Sequence, residues 1–358
     1  MQNRESFDIS PYLELLTERQ GSDLFITTGA PVKVKIEGVI SPIGKTTLTA
    51  EITEAAAYSI MDDSQVARLK NHWEVDFAFS SRRSDVRFRA SVFRQRGEVA
   101  LCLRRIPARI PKFDDLGLPE ILKQLALHKR GLILMAGATG SGKSTTLASM
   151  IQFRNETESD HILTIEDPIE FHHTNIKSIV NQREVGQDTK SYREALKSAM
   201  REAPDVILVG EVRDRETMEA VLELCNTGHL CLTTLHANNA HQAMERMVNL
   251  FPMDLRKQLF MDMALNIRAV VSQRLVRGAD GKRRAAVEVL ISTPHIADLI
   301  RKGEIDKIKE AMEGSGAKGM QTFDMALHAL YKTGQISMEE ALANADSRMN
   351  LESKINFS

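Results

Sequence analysis

The chain reads as an α/β protein in two folded parts, a small mixed-sheet module followed by a larger parallel sheet, with a mostly helical region at the end. Three observations support this. From Glu120 onward, helices alternate with short, mainly apolar segments: Leu132 to Ala136, Ile162 to Ile165, Val206 to Val209 and Leu230 to Leu235. Continuous apolar strands separated by helices mark a parallel sheet covered on both faces. The first ~105 residues instead alternate with period two, placing Val86, Phe88, Ala90 and Val92 on one face and Arg87 and Arg89 on the other. Between the two parts, Pro107, Pro111 and Pro119 with Gly117 make the strongest composition shift in the chain, which reads as a linker.

Taken in order, Pro11 to Glu18 is a short helix. Asp23 to Thr27 and Val32 to Ile36 alternate like strands, with Gly29, Ala30 and Pro31 turning between them. Ala50 to Leu69 is helical, and Glu74 to Ser80 and Val86 to Ile106 complete the sheet. The domains expected are 1–106, a linker at 107–119, a core at 120–280 and a helical C-terminal region at 281–358. In the last, Met320 to Leu330 carries helix-spaced apolar positions.

The bulk properties narrow the function. A length of 358 residues corresponds to two or three domains at roughly 150 residues each. Hydrophobic residues at 42% and charged residues at 27% exclude a disordered or collagen-like chain. The net charge of −1 offers no global case for nucleic-acid binding. Cys102, Cys225 and Cys231 form no CxxC pair, which argues against a disulfide framework or a Cys-rich zinc site and fits a reducing cytoplasm. No apolar run approaches the ~20 residues that span a bilayer. No export signal is apparent at the N-terminus.

The strongest chemical signal is Gly137-Ala138-Thr139-Gly140-Ser141-Gly142-Lys143-Ser144, the P-loop pattern of GxxxxGK followed by Ser or Thr. It follows an apolar strand and leads into a helix from Thr145 to Phe153, as the motif requires. Glycines let backbone N–H groups wrap phosphates, and the helix N-terminus adds partial positive charge. Lys143 would reach the β- and γ-phosphates of ATP, and the Ser144 hydroxyl would bind Mg²⁺.

Asp205 to Glu211 is an apolar strand ending in a carboxylate, as a Walker B element should. Glu211 stands where Asp is usual, and its longer arm could hold Mg²⁺ through a water; capping the next helix is the other reading. Glu166, Asp167 and Glu170 end the preceding strand. Parallel strands point their C-terminal ends at the ligand crevice, so one of these acids is a candidate to orient the attacking water. His229 and His236 flank a further strand. A lone histidine is most often structural, but His236 sits at a C-terminal strand end beside polar residues, where a γ-phosphate sensor would sit.

Nine arginines fall between Arg82 and Arg109, opposed only by Asp85 and Glu98. A solvated face, a nucleic-acid surface poor in stacking aromatics, and arginines offered to a neighbouring subunit's nucleotide are the three readings.

The segments GATGSGKST, ILTIEDPIEF, VNQREVG, DVILVGEVRD, TGHLCLTTLHANNA and GMQTFDMAL occur here in the order seen in secretion-superfamily ATPases. The chain resembles type IV pilus retraction ATPases of the PilT/PilU family over nearly its whole length, and TGHLCLTTLHANNA and DLIRKGE are similar to the PilU-like paralogues. The resemblance implies a PAS-like N-terminal domain, a RecA-like core and a homo-hexameric ring. It implies that Glu166 to Glu170 is the Asp box and Thr227 to Ala237 the His box. By the same likeness Glu170 is the catalytic glutamate, Glu211 the Walker B glutamate, and Arg89 and Arg104 the N-domain arginines facing the nucleotide. The retraction motors carry a segment like AIRNLIRE, whereas Ile296-Ala297-Asp298-Leu299-Ile300-Arg301 has Ala and Asp where Arg and Asn would stand. This departure implies an accessory role beside a PilT-like paralogue.

The function expected is therefore an ATPase motor of pilus retraction at the cytoplasmic face of the inner membrane, working with a platform protein and without nucleic acid. A pilus-extension or type II secretion ATPase is the rival within the family, though its usual tetracysteine site and longer N-terminal region are missing here. A RecA-like nucleic-acid-stimulated ATPase, a small-molecule kinase and a non-hydrolysing scaffold are the rivals from other classes.

Overall fold

The computed structural model describes residues 7–36, 38–81, 86–106 and 109–357; Arg82, Arg83, Asp85 and Pro107 lie outside them. The chain divides into two units, one reaching to Arg109 and including Glu170–His172, the other comprising Ile110–Ile169 and the residues from His173 onward.

In the first unit, α1 (Ser10–Glu18), β1 (Asp23–Ile26), β2 (Lys33–Ile36) and β3 (Val39–Pro42) precede two helices, α2 (Ala50–Ile60) and α3 (Asp63–His72). The sequence reads 50–69 as one helix, and Asp62 is the reason it is two. Its carboxylate accepts from Gln65 N–H at 2.8 Å while the Gln65 side chain accepts from Asp62 N–H at 3.0 Å, a capping box that starts a new helix. Strands β4 (Glu74–Ser80), β5 (Arg87–Gln95) and β6 (Glu98–Ile106) follow. The long 86–106 stretch folds back on itself at Arg96 and Gly97, both at positive φ (52° and 83°), as a tight hairpin turn demands. The sheet order is β3-β2-β1-β6-β5-β4, antiparallel throughout. Its buried face carries Leu24, Ile26, Phe88, Ala90, Val92, Leu101 and Leu103 against Leu13, Leu16, Ala56, Ala57 and Leu69 of the helices.

The second unit is built on a seven-stranded sheet of order β13-β12-β7-β11-β10-β8-β9. Its elements are α4 (Ile121–Ala126), β7 (Gly131–Ala136), α5 (Lys143–Thr157), β8 (His161–Glu166), β9 (Ile179–Glu184), α6 (Tyr192–Ala199), β10 (Val206–Val209), α7 (Arg215–Asn226), β11 (Leu230–Leu235), α8 (Ala240–Asn249), α9 (Arg256–Asn266), β12 (Ile267–Arg277) and β13 (Arg283–Ile291). All neighbours are parallel except β12 and β13. Alternate residues of the central strands feed two cores. Leu132 and Leu134 pack with α6 to α10, and Ile133 and Met135 pack with α4 and α5. Burial on both faces is why these strands are largely apolar, with only small polar residues such as Thr164, Thr233 and Thr234 inside them.

Helices α10 (Pro294–Lys302), α11 (Ile308–Glu313), α12 (Phe323–Lys332), α13 (Met338–Ala343) and α14 (Arg348–Asn356) complete the chain. The region read as mostly helical after Gly281 thus opens with a core strand, β13. The expected linker also differs. Phe113 is buried 6.3 Å from Phe153, and Ser149 Oγ donates to the Pro111 carbonyl at 2.8 Å, so Pro111 and Phe113 are packed into the second unit.

Glu288 on β13 is 3% exposed, and its Oε2 accepts from Ala240 N–H at 2.6 Å at the start of α8. Burial pushes this carboxyl up to about 7, with nearby Asp346 adding to the rise and the Ala240 bond and Arg274 opposing it. A raised acid stabilises the fold fully below its ordinary value of 4.5, and that contribution is lost as pH rises to about 7. The full shift corresponds to about 3 kcal/mol. Urea unfolding between about pH 5 and 8 should show wild type losing stability relative to Glu288→Gln, by roughly that amount. A difference independent of pH would mean that the carboxyl is ionised throughout.

Candidate active site

Four parallel strands, β7, β8, β10 and β11, end at one edge of the sheet, and the sequence-predicted residues of the second unit are strung along the loops that leave it. The loop between β7 and α5 is the P-loop. Lys143 is 8% exposed, and its Nζ donates to the carbonyls of Gly137 at 2.7 Å and Ala138 at 3.0 Å. The Ser141 hydroxyl is buried and makes no hydrogen bond with the described residues. Ala138, Thr139, Gly140 and Ser144 are exposed, and Thr145 is half-buried.

Helix α5 begins at Gly142, which supplies no side-chain cap, whereas Ser191, Asp214 and Asn239 cap α6, α7 and α8. The first-turn N–H groups of α5 therefore face the loop without a competing side chain, the arrangement that receives a phosphate. A buried unpaired hydroxyl, a lysine folded onto loop carbonyls and an uncapped helix start all fit a bound nucleotide phosphate chain.

Gln273 on β12, a residue that the sequence did not single out, closes the loop from the next strand. It is 3% exposed, and its Oε1 accepts from Thr146 Oγ1 at 2.7 Å. A Cβ on Gly137 would collide with Ser141 Oγ and lie 2.7 Å from the Gln273 carbonyl; one on Gly142 would lie 2.7 Å from Gln273 Nε2. Both glycines are needed because β12 presses this close.

At the end of β10, Glu211 is held from two sides. Its Oε2 lies 2.9 Å from Arg213 Nε, and its Oε1 lies 3.1 Å from His236 Nε2 at the end of β11. Glu211 does not cap α7; Asp214 does, through Thr217 N–H at 2.8 Å. The adjoining cleft, about 440 Å³, is lined by Ala138, His236, Asn238, Gln242 and Arg246 among others, so the P-loop and the residues that leave β11 share one wall. At the end of β8, Glu166 Oε1 accepts from Thr164 Oγ1 at 2.7 Å and Gln182 Nε2 at 3.3 Å. Asp167 lies 3.8 Å from Arg213, and Tyr192 packs beneath, its hydroxyl 3.0 Å from where a Gly210 Cβ would stand. Burial pushes the Tyr192 phenol well up, with Asp167 adding to it, so it stays neutral as a spacer among these acids. Glu170 follows in the loop, after Ile169 N–H donates to buried Glu184 at 3.1 Å.

The remaining residues lie elsewhere. His229 precedes β11, at the opposite edge of the sheet, with Nδ1 2.9 Å from the Leu224 carbonyl. A six-residue strand separates it from His236, roughly 20 Å at the usual rise. One chain therefore does not bring His229 to its own P-loop, and its bonds are those of a structural histidine. Arg89 and Arg104 are in the first unit, directly opposite each other on β5 and β6, and so on the same face of that sheet. Arg104 Nε donates to the nearly buried Asp23 at 2.8 Å.

The family model described as type II/IV secretion system protein matches residues 7–346. The chain belongs to the type II/IV secretion system protein family. Among its relatives, the type IV pilus ATPase PilU of Pseudomonas aeruginosa is 52% identical over 340 residues, covering 95% of this chain and 89% of that protein. The type IV pilus ATPase PilT of the same organism is 40% identical over 338 residues, covering 94% and 98%. A crystal structure of the pilus retraction motor PilT with bound ADP matches with a TM-score of 0.88 at 43% identity, covering 97% of this chain and 99% of that one. These likenesses place the chain in the PilT/PilU branch of the family, with its RecA-like core and separate N-terminal domain. Among the described residues, no helix is long and apolar enough to cross a membrane.

Replacing the buried Gln273 amide with an apolar chain of similar length leaves Thr146 without its partner and the loop without its brace. Gln273→Met should weaken ADP binding about tenfold, the scale set by one unsatisfied buried hydroxyl, and leave the chain folded. Fluorescent-nucleotide titration with a melting curve reads both; unchanged affinity would deny Gln273 its role.

Proposed function

We propose that this chain is an ATP-hydrolysing motor subunit that powers type IV pilus retraction, in the PilU-like accessory role beside a PilT-type partner. The observation that carries this reading is the uncapped, Gln273-braced P-loop opening onto the same sheet edge as the Glu211–His236 pair.

The residues divide the work as follows. Ser141, Lys143 and the backbone from Gly137 to Thr145 bind the phosphates, with Lys143 leaving the Gly137 and Ala138 carbonyls to do so. The Ser144 hydroxyl and Glu211 would hold Mg²⁺, which when bound neutralises developing phosphate charge. Glu170 orients the attacking water, while Glu166, fixed by Thr164 and Gln182, shapes the wall beside it. His236 touches Glu211 and so senses the γ-phosphate through the acid nearest it. His229 anchors the start of β11 through the Leu224 carbonyl.

Arg89 and Arg104 act in trans. Their shared face on the first unit presents two guanidinium groups side by side, and in a homo-hexameric ring they reach a phosphate bound by a neighbour. The ring works at the cytoplasmic face of the inner membrane, where it meets the platform protein of the pilus machine and touches the membrane only through that machine.

In a cell lacking this chain, supplying wild type should restore surface motility and lower piliation, while Glu170→Gln should do neither. The purified Glu170→Gln protein should bind ATP as wild type does and turn over about 10²-fold more slowly or worse. Full turnover by that variant removes Glu170 from the mechanism. Unchanged piliation in the deleted cell, with and without the paralogue, contradicts a role in retraction.

A further inference from the structure

Arg274 follows Gln273 on β12, and its guanidinium joins three separate parts of the second unit. Nη2 donates to the Asn238 carbonyl at 3.1 Å, in the loop that leaves β11 two residues after His236. Nη1 donates to the Asn344 carbonyl at 2.7 Å, and Nη2 to Asp346 Oδ1 at 2.6 Å, both just before α14. The guanidinium carbon lies 3.9 Å from the centroid of the Phe323 ring, so the group is stacked as well as bonded.

The C-terminal side of this junction is firmly built. The backbone N–H groups of Asp346 and Ser347 donate to the buried Asp324 carboxylate at 2.8 and 3.1 Å. Leu351 of α14 packs with Phe323, Leu327 and Val276. On the other side the β11–α8 loop is held by single contacts along its length: His236 by Glu211 and by Arg246, which donates to its carbonyl at 2.9 Å, Asn238 by Arg274, and Ala240 by Glu288. An open cleft of about 520 Å³ lies beside the junction, lined by Asn238, Gln242, Arg274, Lys309, Asn344 and Asp346, and leaves the loop room to move.

The three bonds are unequal. All three are charge-assisted through the guanidinium, but only the Asp346 contact joins two opposite charges, and it is also the shortest. The Asn238 contact is the longest and goes to a neutral carbonyl. A shift of the His236 loop therefore releases Asn238 first and leaves Arg274 with the C-terminal segment.

We propose that Arg274 is a positioning residue that couples the loop carrying His236 to the segment Asn344–Ser347, so that the C-terminal helix α14 responds to the nucleotide held at the sheet edge. The proposal rests on that edge being the nucleotide site, as argued above. Arg274 touches neither phosphate nor water in this scheme; it links the loop that senses hydrolysis to a part of the chain that can move.

Amide hydrogen exchange on the full-length protein, alone and with saturating Mg²⁺·ADP or a slowly hydrolysed ATP analogue, tests this. In wild type, peptides covering 344–356 should exchange at least threefold more slowly or faster with one nucleotide than with the other. In Arg274→Gln that difference should vanish, while the dissociation constant for ADP stays within about threefold of wild type. Should Arg274→Gln fail to fold, Asp346→Ala removes the strongest bond and keeps the backbone N–H that donates to Asp324, and it should abolish the same difference. A difference that survives in either folded variant, or is missing from nucleotide-bound wild type, overturns the coupling and leaves the nucleotide site standing. Failure of wild type to bind ADP overturns both.

Discussion

The approach of β12 to the P-loop is the contact on which the site depends. Backbone and side chain of Gln273 press against Gly137, Gly142 and Thr146, and a residue larger than glycine at the first two positions would have to displace Ser141 or the Gln273 carbonyl at Gly137, and the Gln273 amide at Gly142. The parallel sheet supplies the pressure. Strand β12 pairs with β7 from Ile267 to Ser272, so the residue that follows is delivered to the loop just where β7 ends at Ala136. The phosphate cradle is thus shaped by register in the sheet as much as by the glycine-rich motif.

Charge at the same edge is arranged in advance. Glu211 lies between Arg213 and His236, Glu166 accepts from Thr164 and Gln182, and Lys143 rests on loop carbonyls. Each group already has a partner that it can exchange for a phosphate, a cation or a water, so binding replaces contacts and exposes no bare charge. Arg104 in the first unit follows the same logic, its guanidinium resting on Asp23. Ties of this kind favour a motor, in which the groups must move between two sets of partners in every cycle.

Much of this was legible in the sequence where one physical rule acts alone. The P-loop, the apolar strands of the sheet centre and the carboxylate ending β10 are local patterns with local causes. Elsewhere the pattern misleads, either because a local signal is masked by a stronger one or because the partners are distant. Asp62 splits one helix into two through a capping box that the apolar spacing of 50–69 hides. Strands β9, β12 and β13 mix buried and half-buried polar residues, because they lie at or near the sheet's ends and carry Glu184, Gln273 and Glu288 inward. Nothing within Val271-Ser272-Gln273-Arg274 shows that Gln273 serves the nucleotide loop and Arg274 the C-terminal segment; that is set by β12 lying beside β7. His229 and His236 flank one strand in the sequence, and the two ends of that strand lie at opposite edges of the sheet, so only His236, the one singled out by its C-terminal position, reaches the site.

The nucleotide site depends on β12 meeting the P-loop where Gly137 and Gly142 leave room for it. Titration of Gly137→Ala with ADP, alongside its circular dichroism, tests it most directly. The protein should stay folded, with a sheet and helix signal that matches wild type, while its affinity for ADP falls by about 10²-fold or more, since the added methyl must displace Ser141 or the Gln273 carbonyl. Wild-type affinity in Gly137→Ala would show that the loop accommodates a side chain there, and that the close approach of β12 does not shape the site.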